Sequence, residues 1–265
     1  MLEARGIEAV VGELDDAEKL ANLAQSADGV IHAANADHIA SVVTLVTALE
    51  RSGKFLIHTS GSSIVADHAD GEYAAATPLG EDDHFHPLPN RRPRVDMNRY
   101  VRLAAIEKGV RSAVICPGMI YGPGRGLQPD SDQLPKLIGL SRQSGAGLYF
   151  GQGLNVYSNV HIDDLSALYL LVLEKAPGGS FFFAENGYSS FRAIAEMIGR
   201  LPGFEGRTAS VPVSDVARQF GESARLGVAS NSYVRAANAQ RLGWSPKAPS
   251  LAELFETMAQ TEARQ

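Results

Sequence analysis

The sequence is poor in cysteine and has no excess of basic residues. Cys116 is the single cysteine among 265 residues, which excludes an intramolecular disulfide framework and a cysteine-rich zinc or iron–sulfur site. The net charge is −6, from 24 Lys+Arg against 30 Asp+Glu, whereas nucleic-acid-binding proteins usually present a basic face. The basic cluster of Arg91, Arg92 and Arg94 is short and is broken by Pro93, so we interpret it as a solvated loop. We therefore expect no nucleic-acid partner.

Long apolar runs are also missing. No stretch approaches the ~18 apolar residues of a membrane span, and the N-terminal sequence MLEARGIEAVVGELDD lacks the apolar core of a signal peptide. These features predict no membrane partner and a cytoplasmic location. The composition is otherwise that of a globular protein, 45% hydrophobic and 20% charged. The chain is long enough for one large domain or two small ones.

Short apolar runs alternate with helical patterns through the N-terminal half. The runs that predict strands are 8–11, 30–33, 55–57 and 112–116. Strands of this kind, bounded by helices, are typical of a parallel sheet that is covered on both faces. The C-terminal half is less regular, with a strand predicted at 180–184 and helices at 161–175, 191–201, 216–220 and 251–258. We predict an α/β fold, a doubly wound parallel sheet with a small C-terminal α/β cap.

Ligands of such sheets bind at the carboxyl ends of the strands, which directs attention to the segments that follow each strand. Several of these segments, in this order, resemble the short-chain dehydrogenase/reductase superfamily. They are GELDD (12–16), VIHAAN (30–35), LIHTSGSSIVAD (56–67) and GVRSAVICPGMIYGPG (109–124), with weaker matches at NVHIDDLSALYL (159–170) and LGWSP (242–246). The branch that the chain resembles is the extended or atypical one of NAD-dependent epimerases and dehydratases, which implies a Rossmann-like sheet.

The family's glycine-rich turn, which seats the cofactor pyrophosphate at a helix N-terminus, has no counterpart near this N-terminus. Residue 1 falls where the family has already completed a strand, a helix and a second strand. Two apolar strand edges would then lie unpaired, and an unpaired edge promotes aggregation. We therefore expect Met1 to be an internal methionine of a longer reading frame, a hypothesis that a stop codon directly upstream would refute.

The family's catalytic Tyr and Lys, four residues apart on one helix, are also absent. None of the eight tyrosines is followed by a lysine four positions later, and the family's two positions fall near Arg91 and Val95. Gly61 stands about where the family has its catalytic Ser or Thr. The neighbouring Ser60 and Ser62 are therefore our catalytic candidates, although both hydroxyls are equally explained as caps of the turn after the strand.

The resemblance also implies positions that contact a nicotinamide dinucleotide, NAD or NADP. The residues beside the adenine are Glu13 and Leu14. Those on the adenosine and pyrophosphate side are Ala33, Ala34 and Asn35, and Thr59 approaches the nicotinamide ribose. The residues that pack near the nicotinamide are Pro117, Gly118 and Met119. Small residues at these positions allow the backbone to approach a ligand closely.

Three hypotheses about function remain open. The first is an NAD(P)-dependent oxidoreductase or epimerase/dehydratase-like enzyme for a small carbonyl, hydroxyl or sugar-type substrate. The second is an NAD(P)-binding pseudoenzyme or regulatory sensor, and the third is a fragment without cofactor function. We expect a dinucleotide-binding core at 1–121, and at 122–265 the remaining core elements with a substrate-binding cap. A homodimer through the helices at 42–49 and 93–108 is compatible with the family. We expect no metal site, because His84 and His86 are interpreted as loop residues.

Overall fold

The computed structural model describes residues 2–127 and 131–263. The strands in chain order are β1 (Gly29–His32), β2 (Phe55–Thr59), β3 (Arg111–Pro117), β4 (Met119–Tyr121), β5 (Gly147–Phe150), β6 (Val156–His161), β7 (Ser180–Ala184), β8 (Gly187–Ser190) and β9 (Thr208–Val211). The helices are α1 (Ala17–Ser26), α2 (Ile39–Ala48), α3 (Arg92–Glu107), α4 (Gln133–Ser144), α5 (Ile162–Lys175), α6 (Phe191–Gly199), α7 (Val213–Phe220), α8 (Glu222–Ala229), α9 (Ala237–Arg241) and α10 (Leu251–Glu262).

A four-stranded sheet organises the first part of the molecule. Its order is β1-β2-β3-β7 and every neighbouring pair is parallel. Helices α2 and α3 cover one face, where Val42, Leu45, Val46 and Leu49 are buried. Helix α5 covers the other face with Leu165, Leu168 and Val172. The sheet is thus covered on both faces, which confirms the predicted Rossmann-like α/β fold.

The C-terminal part adds two small sheets, a three-stranded one of order β4-β6-β8 and a two-stranded one of β5 and β9. With α4, α6 and α10 they enclose a separate apolar core that includes Tyr121, Phe150 and Phe191. Helix α10 begins at a capping box, in which Ser250 and Glu253 each bond the other's backbone N–H. This smaller unit is the cap of the predicted fold.

Two expectations are wrong. Residues 8–11 form no strand; they are exposed, and β1, the nearest strand in sequence, pairs only with β2 among the described residues. An apolar sequence alone does not form a strand, because a strand needs a neighbouring strand whose backbone N–H and C=O groups hydrogen-bond with its own. The second wrong expectation is the solvated loop predicted at 91–94. Arg92, Pro93 and Arg94 instead form the first turn of α3, where proline is well tolerated.

Candidate active site

A cavity of about 310 Å³ opens where β2 and β3 end and the C-terminal cap begins. Its walls come from the loop after β2, the β3–β4 junction, the start of α4 and the middle of β6. The lining residues are Ser60, Gly61, Ser62, Ser63, Pro117, Gly118, Ile120, Ser131, Asp132, Gln133 and Tyr157. The cavity therefore lies at the carboxyl ends of the parallel strands, where ligands of this fold class bind.

Four of the predicted site residues meet in this cavity: Ser60, Ser62, Pro117 and Gly118. The Ser60 hydroxyl is buried without an oxygen or nitrogen partner and lies beside the Cys116 thiol. Burial raises the pKa of that thiol to about 12, so Cys116 is neutral and packs as a small apolar residue. The Ser62 and Ser232 hydroxyl oxygens lie 2.7 Å apart and share a hydrogen bond.

Gly118 is a position where the backbone approaches another strand too closely for a side chain. A Cβ atom placed there would lie 2.4 Å from the carbonyl oxygen of Ser158, a distance at which the atoms clash. The glycine thus lets β3 and β6 meet at the floor of the cavity. Its structural role is independent of any ligand.

Two of the predicted cofactor residues point away from the cavity. The Thr59 hydroxyl lies 2.5 Å from the Tyr169 hydroxyl on α5, on the opposite face of the sheet from α2 and α3. Met119 is buried in the core of the C-terminal cap. Strand alternation explains both placements, because successive side chains point to opposite faces.

The remaining predicted residues lie at the end of β1. Ala33, Ala34 and Asn35 are exposed there, directly after the last residue of the strand. Glu13 and Leu14 belong to a neighbouring turn, which is held by a contact of 3.1 Å between Asp15 Oδ1 and His38 Nε2 at the start of α2. The two groups thus share one open rim of the sheet, outside the 310 Å³ cavity.

The first turn of α3 places Arg94 beside the cavity. Its guanidinium forms a two-bond ion pair with Asp37, in which Nε donates to Oδ1 over 2.7 Å and Nη2 donates to Oδ2. Nη1 donates to the Ser63 hydroxyl over 3.2 Å and lies 3.5 Å from where a Cβ of Gly61 would be. Hydrogen bonds from Arg94 hold the pKa of Asp37 below its ordinary value.

Arg91 is the second cation of this region. Its Nε atom is buried without a hydrogen-bond partner. Burial, and then the positive charge of Arg94, lower the pKa of Arg91, yet a guanidinium remains protonated at any physiological pH. Arg91 therefore brings a positive charge that no hydrogen bond of its Nε group compensates.

Tyr157, on β6, is the cavity residue that sequence reasoning missed. Its side chain is buried and lines the cavity, and Ser232 is its neighbour on the adjacent segment. Burial raises the pKa of Tyr157, while the nearby Ser232 side chain and the charges of Arg91 and Arg94 act in the opposite direction. No lysine follows at the family's spacing, so only the tertiary structure points to this residue.

Two histidines form a buried pair beneath the rim. His32 Nδ1 and His58 Nδ1 lie 3.1 Å apart, and His32 Nε2 lies 3.0 Å from the Ser41 hydroxyl. Burial lowers the pKa of His32, and lowers the pKa of His58 to about 4. Both imidazoles are therefore neutral at pH 7 and serve as core residues of adjacent parallel strands.

In the described ranges 2–127 and 131–263, no group of three or more His, Cys, Asp or Glu side chains is arranged to hold a metal ion. No helix in these ranges has the length and apolar character needed to cross a membrane.

A parallel sheet with a cavity at the carboxyl ends of its strands defines a Rossmann-like α/β protein. Residues 2–182 match the model of the NAD dependent epimerase/dehydratase family. That match covers more than half of the chain, so the protein belongs to this family, as the sequence motifs predicted. The family's NAD dependence confirms the expected cofactor class, NAD or NADP.

Individual relatives share this architecture at low identity. The oxidase ucsJ of Acremonium sp is 28% identical over 96% of this chain and 83% of its own. The 4-hydroxy-2-methyl-3-oxo-4-farnesyl-3,4-dihydroquinoline-1-oxide ketoreductase of Stigmatella aurantiaca is 24% identical over 84% of this chain and 69% of its own. The crystal structure of DesIV, a dTDP-glucose 4,6-dehydratase from Streptomyces venezuelae with NAD bound, superposes with a TM-score of 0.75 at 16% identity, covering 97% and 80% of the two chains.

Proposed function

We propose that this protein is an NAD(P)-dependent oxidoreductase that interconverts a small carbonyl compound, or a sugar-type one, and its alcohol. The observation that carries the proposal is the cavity of about 310 Å³ at the carboxyl ends of β2 and β3. Ser60, Ser62 and Tyr157, which carry hydroxyl groups, all line this one small space. Polar hydrogens around a compact cavity suit a substrate with a single reacting oxygen.

The residues present fit the nicotinamide end of the cofactor. Pro117 and Gly118 offer a flat, close-packed floor, and the buried Ser60 hydroxyl lacks an oxygen or nitrogen partner. We propose that the nicotinamide lies here and that the adenosine side follows the open rim of Ala33, Ala34 and Asn35. When bound, the cofactor supplies or accepts the hydride. A glycine-rich turn for the pyrophosphate is not found at this rim among the residues that the structure describes.

The names of two relatives support carbonyl–alcohol redox chemistry over other reactions of the family. One relative is named a ketoreductase and the other an oxidase, and both names denote oxidation–reduction reactions. DesIV, with the same fold, acts on a sugar nucleotide, so a sugar-type substrate remains within the proposal.

The second candidate function is an NAD(P)-binding pseudoenzyme or sensor. The observation that favours it is the absence of the family's Tyr–Lys pair, whose two positions fall near Arg91, at the N-cap of α3, and Val95 within this helix. Binding of the cofactor is common to both functions, and turnover separates them. An active protein with any carbonyl substrate refutes the sensor.

The test begins with a titration of the purified protein with NADH and NADPH, followed by cofactor fluorescence and confirmed by calorimetry. A variant that fills the cavity, Gly61→Leu, should abolish saturable binding. Its backbone is extended and a Cβ atom meets only ordinary contact with Arg94, so the variant should fold. Gly139→Leu on α4 is the matched control, because a Cβ there meets nothing within 4 Å and Gly139 does not line the cavity.

Bound cofactor is then offered to a panel of ketones, aldehydes and nucleotide sugars, with oxidation of the cofactor as the readout. Turnover of any of them supports the oxidoreductase. Binding that Gly61→Leu leaves unchanged, or no binding at all to the wild type, contradicts the placement of the nicotinamide in this cavity.

The domain division and the location belong to the same proposal. Residues 1–121 would form the dinucleotide-binding core, completed by α5 and β7 from the second half, and the cap within 122–265 would bind the substrate. A cytoplasmic location is supported by the single cysteine, Cys116, which is a buried free thiol.

We also propose a homodimer through α2 and α3. A second cavity, of about 410 Å³, lies between these helices, and Ile39 and Val43 are 53% and 42% exposed beside it. Apolar side chains at the junction of two parallel-packed helices suit a self-complementary contact. Light scattering should give twice the mass of one chain, and Val43→Glu should halve that mass.

A further inference from the structure

Tyr157 is held rigidly at the junction of the sheet's carboxyl ends and the cap. Its neighbours in β6 are fixed on both sides, because Ser158 N–H donates to the Ser232 carbonyl and Ser232 N–H donates to the Val156 carbonyl, each over 2.9 Å. The ring packs edge-on against Phe191, with 6.0 Å between ring centres. Of the described tyrosines, Tyr157 is the one that lines the 310 Å³ cavity.

We infer that Tyr157 is the proton donor for carbonyl reduction in this cavity, in place of the tyrosine that the family carries on α3. This inference rests on the proposed function. It names the group that handles the proton, which the sequence motifs do not supply.

The proton and electron balance of the step is simple. The hydride brings two electrons and one hydrogen to the carbonyl carbon, and the C=O π bond breaks toward oxygen. The Tyr157 O–H bond then breaks, and its proton goes to the carbonyl oxygen, so the product is the alcohol and the phenol becomes a phenolate. The phenolate recovers a proton through the hydroxyls of Ser232 and Ser62, which are 2.7 Å apart, from water in the cavity.

The charges around the phenol suit this role. The titratable groups that act on the Tyr157 phenol are Arg91 and Arg94, at the start of α3, and the neutral thiol of Cys116 on β3. Because burial keeps Tyr157 protonated at neutral pH, a proton is available for donation. The guanidinium of Arg91 lowers the energy of the phenolate left behind. Arg94 contributes less, since its charge is already paired with Asp37.

The first test compares Tyr157→Phe with Tyr121→Phe, a buried tyrosine in the cap core whose hydroxyl bonds Asn186 and the Pro249 carbonyl, outside the cavity. Tyr157→Phe should lower kcat for the best carbonyl substrate by roughly 10²-fold or more, the size of a lost acid catalyst. The affinity for NADPH, measured by calorimetry, should change less than about twofold, because the phenol does not hold the cofactor. Tyr121→Phe should retain the wild-type kcat.

The second test needs no turnover. The ultraviolet phenolate absorbance is titrated with pH for wild type and for Tyr157→Phe, and the difference gives the ionisation of Tyr157 alone. Arg91→Gln should move that ionisation to higher pH, as loss of a positive charge that acts on the phenol requires. A Tyr157 that only packs would be insensitive to Arg91.

The outcomes separate the two proposals. A wild type that binds NADPH and reduces a carbonyl while Tyr157→Phe is equally active refutes the role of Tyr157 and leaves the proposed function standing. If Tyr157 ionises at the same pH in Arg91→Gln as in the wild type, the role of Tyr157 is also refuted. A wild type that reduces nothing in the panel defeats the proposed function, and the role of Tyr157 with it.

Discussion

Adjacent aspartates at the start of α5 should differ sharply in what they contribute to stability. The Asp164 carboxylate is buried, at 5% exposure, and ties the C-terminal segment to α5. It accepts the backbone N–H of Lys247 over 2.7 Å, that of Ala248 over 3.1 Å and the Asn186 side-chain amide over 3.0 Å. Asp163 instead faces solvent and pairs with Arg125 on the surface.

The magnitude follows from these bonds. Three hydrogen bonds to a carboxylate, at about 1.5 kcal/mol each, predict that Asp164→Ala lowers the free energy of unfolding by about 4.5 kcal/mol. For a chain of this size that corresponds to a fall in Tm of roughly 10 °C. The loss is a large share of the roughly 5–15 kcal/mol that stabilises a typical domain.

Urea unfolding followed by circular dichroism measures the effect, with Asp163→Ala as the matched control. The control should leave the unfolding midpoint nearly unchanged, because exposed ion pairs contribute little. Equal losses of unfolding free energy in the two variants would refute the reasoning. They would show that any acidic residue at the start of the helix, and not the buried acceptor of Asp164, stabilises the protein. Asp164→Asn should fall between wild type and Asp164→Ala, because the amide keeps one acceptor oxygen.

The other predictions concern single positions. His58 has a pKa of about 4 against an ordinary 6.5, so below pH 6.5 the unfolded chain binds a proton that the folded chain refuses. The free energy of unfolding should therefore fall by about 3 kcal/mol between pH 6.5 and 4 on account of this group, and His58→Gln should flatten that part of the curve. Gly139→Ala in α4 should stabilise the protein by about 0.5–1 kcal/mol in the same urea assay, because its Cβ meets nothing within 4 Å; a loss would show strain at that site. Ser250→Ala removes the cap of α10 and should cost about 1 kcal/mol, whereas an unchanged midpoint would mean that the helix frays in the wild type.

The sequence predicted the structure best where the residue pattern of a segment agrees with the burial of its side chains. The buried run of β3 and the helical spacing of Val42, Val46 and Leu49 predicted elements that the structure contains. The loops after the strands likewise placed Ser60 and Gly118 at the carboxyl ends, and the motifs in those loops were sufficient to identify the family. Strand order then follows from connectivity rules for parallel sheets.

Predictions from the sequence failed where the structure of a segment depends on a partner that is distant along the chain. Residues 8–11 have strand composition but no strand beside them. Strands such as β4 and β8 are too short to be seen in a pattern and exist because β6 lies between them. The cofactor contacts expected of Thr59 and Met119 stay predictions; the alternation of side chains turns both away from the 310 Å³ cavity.

The sequence by itself determined the parallel α/β core, the family and the absence of its Tyr–Lys pair, because each depends on residues near one another along the chain. Only the tertiary structure decided what stands in that pair's place. Tyr157 reaches the cavity from a strand that begins 49 residues after the end of α3. Arg91 and Arg94 become half-buried charges only when the start of α3 packs against the loop after β2. Such a constellation is set by packing between remote segments, which no local pattern records.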